Sequence, residues 1–161
     1  MATATDVFTE FREDHRKVRD TLFALKAAFE ARDPARAREV LGRLNELTGP
    51  HFRYEEESLY PALKPILGRY VDRMIEDHDG AIQLARKLVE LVGKESFTDE
   101  DVRTGVEAVQ TILPHVSDCD GLLIFVETFD RPTIDRINTN IDECRAAGLP
   151  LLEWAETVRK K

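Results

Sequence analysis

Residues 6–34 read DVFTEFREDHRKVRDTLFALKAAFEARDP. Phe8, Phe11, Val18, Leu22, Leu25 and Phe29 recur there at steps of three and four, the spacing of a stripe that faces other helices in a bundle. The step from Phe11 lands on His15, so a polar residue takes a core slot of an apolar seam. Thr5 or Asp6 is placed to cap this helix, and it ends around Arg32, where Asp33-Pro34 offers the cap and first-turn proline of the next.

Working outward, the second helix begins at Pro34 and carries Val40, Leu44 and Leu47 on one face, after which the stepping reaches His51, Glu55 and Leu59. Gly49-Pro50 predicts a kink or interruption, because proline lacks the N–H and its ring collides with the carbonyl four residues back. The segment runs to about Leu63, before Pro65 and Gly68. A third helix spans roughly Arg69 to Val92, with Val71, Met74, Ile82, Ala85 and Leu88 inward and His78 in mid-stripe. A fourth opens on Thr98-Asp99-Glu100-Asp101, a capping hydroxyl followed by carboxylates that suit the positive end of a helix dipole. Its inward face reads Val102, Val106, Val109, Ile112, His115, Cys119, Leu122 and Val126. No segment alternates with the period of a strand, and no linker is rich in glycine or serine. The expected fold is all-α: an up-down-up-down four-helix bundle over residues 1–130. A C-terminal helical tail, residues 131–161, would pack on the bundle or on a partner subunit.

Composition narrows the function. A chain of 161 residues suits one domain with a full-sized core. Acidic residues outnumber basic ones by 31 to 23, and the net charge of −8 disfavours nucleic acid or an anionic membrane surface as partner. No apolar run approaches the ~20 residues of a bilayer span. Two cysteines make no disulfide scaffold, and residues 1–6 lack the basic and apolar regions of a secretory signal. A cytoplasmic protein with reduced thiols is expected.

The polar core residues repeat. Glu13-Asp14-His15 on the first helix recurs as Glu76-Asp77-His78 on the third, and Pro50-His51 on the second recurs as Pro114-His115 on the fourth. Each second histidine is followed four and five places later by Glu55-Glu56 or Cys119-Asp120. One histidine on an apolar face is ordinarily a hydrogen-bonded core residue. All four in the chain, at the same level of four helices, are better explained by a cation, because each buried polar group left unpaired costs about 1–3 kcal/mol. Imidazole and carboxylate donors without a thiolate set fit iron or manganese better than a cysteine-based structural zinc site. His51 and Glu55, four apart, share a helix face; from His115 that place falls to Cys119, with Asp120 rotated about 140° away in an ideal helix.

These residues resemble the hemerythrin family, the HHE cation-binding four-helix bundles that hold a non-haem di-iron centre. The resemblance rests on His15, on His51-Phe52-Arg53-Tyr54-Glu55-Glu56-Glu57-Ser58-Leu59-Tyr60-Pro61, on His78, and on His115 with Asp120. It implies His15, His51, His78 and His115 as terminal ligands of two iron ions, Glu55 and Asp120 as bridging carboxylates, and an oxo or hydroxo bridge from solvent. Glu56 and Cys119 are reserve ligands. The fifth histidine of oxygen-carrying members has no counterpart, its place being Met74.

The resemblance implies binding of dioxygen or another small diatomic such as nitric oxide, for sensing, delivery or scavenging, with no evident substrate channel. The alternatives are a di-iron enzyme acting on peroxide, nitric oxide or ferrous iron, and an iron- or redox-responsive protein that signals to an unidentified protein partner. Asp14 and Asp77 are placed to hydrogen-bond imidazole N–H groups from outside the metal shell. Phe52, Tyr54, Leu59 and Phe125 are candidate pocket walls.

Overall fold

The computed structural model describes residues 4–159; part of the stretch inspected for a secretory signal lies outside them. The elements are α1 (Val7–Glu30), α2 (Pro34–Tyr54), a π-helical turn (Glu55–Leu59), α3 (Tyr60–Leu67), α4 (Arg69–Val92), α5 (Asp99–Asp120), α6 (Leu123–Val126), α7 (Arg131–Ala147) and α8 (Leu151–Val158). No strand occurs among the described residues. The four long helices close a ring, α1 packing on α2 and α5, and α4 on the same two.

The capping signals act as their sequences imply. Asp33 accepts from Arg36 N at 3.0 Å with Pro34 in the first turn, and Thr98 and Asp101 form a reciprocal capping box. Asp6, not Thr5, takes the cap position of α1, while Thr5 bonds Asp142 on α7. Gly68 supplies a positive φ of 54° for the turn between α3 and α4.

The interruption expected at Gly49-Pro50 is not there. Helix α2 runs through Pro50, the lost hydrogen bond being outweighed by the burial of Thr48, His51, Phe52 and Tyr54 on either side. The irregularity comes later, where the Tyr60 N–H reaches five residues back to the Glu55 carbonyl. Pro61, without an N–H, cannot donate to Glu57, which favours loss of the α pattern in the turn before it.

Two apolar clusters fill the ring, one around Phe11, Tyr60, Leu63, Met74 and Ile137, the other around Leu22, Phe29, Val40, Leu88 and Val109. His15 lies between Phe11 and Val18 on α1, at the junction of the two. A third cluster, Phe52, Ile82, Leu151 and Trp154, seats α8 on α2 and α4. Phe125 is 37% exposed on α6 and walls no central pocket, because its buried neighbours Leu123 and Val126 fill the inward places of that single turn.

Candidate metal centre

Glu55, fully buried in the π-helical turn, is the focus of the polar level. His51 Nε2 lies 2.7 Å from its Oε1, His78 Nε2 2.8 Å from its Oε2 and His15 Nε2 3.6 Å from its Oε1. Cys119 Sγ donates to Oε1 at 3.0 Å and the Tyr60 hydroxyl to Oε2 at 3.1 Å. The π turn is what makes this possible. Residues five apart point about 140° away from each other on an α-helix, but here Glu55 and Tyr60 converge.

Each imidazole turns its other nitrogen outward onto a carboxylate. His15 Nδ1 donates to Asp120 Oδ1 at 3.1 Å, His51 Nδ1 to Asp14 Oδ2 at 3.0 Å, His78 Nδ1 to Glu56 Oε1 at 2.8 Å and His115 Nδ1 to Asp77 Oδ2 at 3.2 Å. Ionised carboxylates only accept, so each Nδ1 carries a proton and each Nε2 faces the centre, where a bound cation would take the place of the proton that Glu55 draws onto it. Histidines that ligate metals are oriented in this way.

The repeat seen in the sequence is therefore a repeat of roles. Asp14 orients His51 and Asp77 orients His115, within each half; Glu56 orients His78 and Asp120 orients His15, across the halves. Cys119 matches Glu55, and Asp120 matches Glu56. This departs from the expected bridging place for Asp120: Pro114 sits inside an unbroken α5, so the residue five beyond His115 stays rotated outward. Cys119, wholly buried, takes the inward slot, while Asp120 is part-exposed and also lies 3.6 Å from Arg12.

Electrostatics agree with an ionic cluster. Burial opposes charge on His51, yet Glu55 and Asp14 outweigh it and push its pKa up to about 10. Burial likewise opposes ionised Glu55, but His51, His15 and His78 hold it well below the usual carboxylate range. His78 is raised by Glu55 and Glu56 against its burial, whereas burial and the neighbouring His78 charge lower His115. Burial and Glu55 push the Cys119 thiol well upward, so without a cation it stays protonated.

Two residues of the site carried no sequence signal at all. Arg145 on α7 donates to Asp14 at 2.9 Å and also bonds Glu10; Arg159, beyond α8, grips Glu56 with two bonds of 2.9 and 2.6 Å. The tail thus holds the carboxylates that orient His51 and His78. Replacing Arg159 with alanine is expected to weaken metal retention about tenfold, the low end for losing an orienting group, while changing stability by less than about 1 kcal/mol because the pair is partly exposed. Competition with a chelator, beside chemical denaturation, reads both.

A cavity of about 280 Å³ opens on this level, with His15, His51 and His115 at one end and Leu41, Leu88 and Val92 at the other. Small residues of α2 and α4, Gly42, Ala81 and Ala85, line it.

The donor set fits a cation. His15 and His51 bring their Nε2 atoms to 3.1 Å, about the separation of two nitrogens each roughly 2.1 Å from one ion, and His15, His51 and Glu55, or Glu55, His115 and Cys119, converge closely enough to share one. Fold and site together define a cation-binding helical bundle with a histidine-rich centre. The chain belongs to the hemerythrin family: the hemerythrin HHE cation-binding domain matches residues 6–123. No curated protein and no solved structure matches the chain. Among the described residues no helix is long and apolar enough to cross a membrane.

Proposed function

We propose that the protein is a non-haem di-iron protein of hemerythrin type that binds dioxygen or nitric oxide for sensing, delivery or scavenging. The carrying observation is that four imidazoles, each held at Nδ1 by a carboxylate, turn Nε2 to the level of one buried glutamate. His15, His51, His78 and His115 would hold the two ions, Glu55 would bridge them, and Cys119 would stand where the other half has its glutamate. The described part of residues 1–130 would run up-down-up-down, an order favoured by its short interhelical links, with the described part of residues 131–161 bracing it. When bound there, two iron ions would supply reversible electron donation to a diatomic ligand. The chain's own part is to fix four nitrogen lone pairs, to exclude bulk water with Phe11 and Phe52 packed against the imidazoles, and to keep a proton on the Tyr60 hydroxyl.

That phenol favours a second reading, turnover of peroxide. Tyr60 OH lies 3.2 Å from Cys119 Sγ and 3.3 Å from His78 Nε2, a proton donor beside the centre.

Iron and manganese content of the freshly purified protein, with its visible spectrum before and after anaerobic reduction, tests the reading. About two irons per chain and a band that returns reversibly on admitting oxygen are expected. Sustained hydrogen peroxide consumption would favour the enzyme, and a colourless protein that refuses iron on reconstitution would overturn both.

A further inference from the structure

The cavity is larger than a diatomic ligand needs. An apolar cavity of about 150 Å³ stays dry and accepts benzene; this one has about 280 Å³. Between its ends the polar wall groups, Thr48 and the Asn45 carbonyl oxygen, are engaged, and Arg38 stands exposed at the outer end. Thr48 Oγ1 donates to Leu44 O at 2.7 Å, Asn45 Oδ1 accepts from Leu152 N at 3.0 Å, and Arg38 donates to Val92 O at 2.7 Å. Water, which wants two to four partners, finds few along it. The exception is the inner end. His115 gives Nδ1 to Asp77, and among the described residues its other nitrogen makes no hydrogen bond. The outer end lies between α2 and α4, where Gly42 is exposed, a Cβ built on it meets nothing within 4 Å, and Ala85 faces it across the cavity.

We propose that this cavity is a binding site for a small uncharged organic molecule, an aryl or alkyl compound of about eight to ten carbons, whose body lies among the leucines and whose one polar end reaches the His115 side of the centre. The hydrocarbon selects by size and by desolvation, since a charged group would lose its hydration along the wall between the exposed Arg38 and the histidines. The assignment of what the polar end meets rests on the metal-centre reading; binding of the hydrocarbon body does not.

Cumene, a nine-carbon probe, tests this when titrated into the full-length protein in metal-loaded and metal-free form. Trp154, the single tryptophan, packs with Phe52 and Leu151, both of which line the cavity, and its emission reports occupancy. A saturable change in both forms is expected, with a rise in Tm and none from glycerol. Ala85→Phe and Gly42→Phe, which fill the cavity from opposite helices, should each weaken cumene at least tenfold with metal content unchanged. An unsaturable response, no rise in Tm of the unaltered protein, or equal binding by a folded filled variant overturns the proposal. Cumene binding by a chain that refuses iron would sink the metal reading and leave the cavity site standing; an iron-loaded chain indifferent to cumene would do the reverse.

Discussion

Glu55→Ala should leave the purified protein nearly free of metal, with affinity reduced a hundredfold or more. Loss of a group that merely orients a ligand costs 10–100-fold, and Glu55 is the one carboxylate that meets three inward nitrogens, with His15, His51 and His78 around it. The same change should destabilise the metal-free protein by about 3–5 kcal/mol near neutral pH, the usual cost of removing one partner of a buried ion pair. The pH dependence has a defined sign. His51 is raised in the folded protein to about 10, from 6.5 when free, so its contribution is fully present below 6.5 and disappears as pH rises through about 10. The stability gap between the unaltered chain and Glu55→Ala should therefore be wide at pH 6 and narrow at pH 10. Glu55→Gln, which keeps the shape and removes the charge, should lose metal similarly while packing better. Elemental analysis and denaturant unfolding of the metal-free proteins at the two pH values check this. Full metal content in Glu55→Ala would mean that the histidines hold the ion without it.

What the sequence made legible follows from periodicity. His15, His51, His78 and His115 were visible because each interrupts an apolar stripe at a core step, and the duplication of Asp-His and Pro-His pairs tied them to one level. The slot exchange between Cys119 and Asp120 was visible as an angle, since only a distortion at Pro114 could have brought Asp120 inward. Its absence is a property of packing along α5 that no local pattern encodes. The π-helical turn was hidden for a related reason: prolines at 50 and 61 both threaten the helix, and which of them yields depends on what neighbouring helices bury. Arg145 and Arg159 were illegible because nothing in a tail of alternating apolar and charged residues says which charges fold back over the centre.

The pseudo-symmetry gives those two arginines a meaning. Asp14 and Glu56, in the first half, are both held by arginines from the tail, whereas Asp77 has no arginine partner among the described residues and Asp120 has only the more distant Arg12. The half that keeps its glutamate is thus the half the tail braces. The matched domain ends at residue 123, so the bracing comes from outside it.

Gly49→Ala puts this bracing to a test with a large expected effect. A Cβ at Gly49 would stand 2.0 Å from the Leu149 carbonyl oxygen and 2.7 Å from Leu151 N, and these are backbone atoms that can yield only if the start of α8 moves. Alanine in a helix normally gains up to about 1 kcal/mol over glycine; here we expect a net loss of about 1–3 kcal/mol, the range for overpacking. Trp154, 3% exposed, should become wetted and its emission move to longer wavelength. Displacing α8 also carries Arg159 away from Glu56, so His78 loses its fixed orientation and metal retention should fall at least tenfold. Gly42→Ala on the same helix, where the added Cβ meets nothing, should stabilise slightly and leave metal untouched. Comparison with Arg159→Ala separates the two consequences: both variants should lose metal to a similar degree, but only Gly49→Ala should lose more than about 1 kcal/mol of stability, whereas the tryptophan emission responds in both because the Arg159 guanidinium stacks 5.2 Å over the Trp154 ring. Unchanged metal retention in a Gly49→Ala protein whose Trp154 emission has moved would show that α8 is a cover for the bundle and has no hold on the centre.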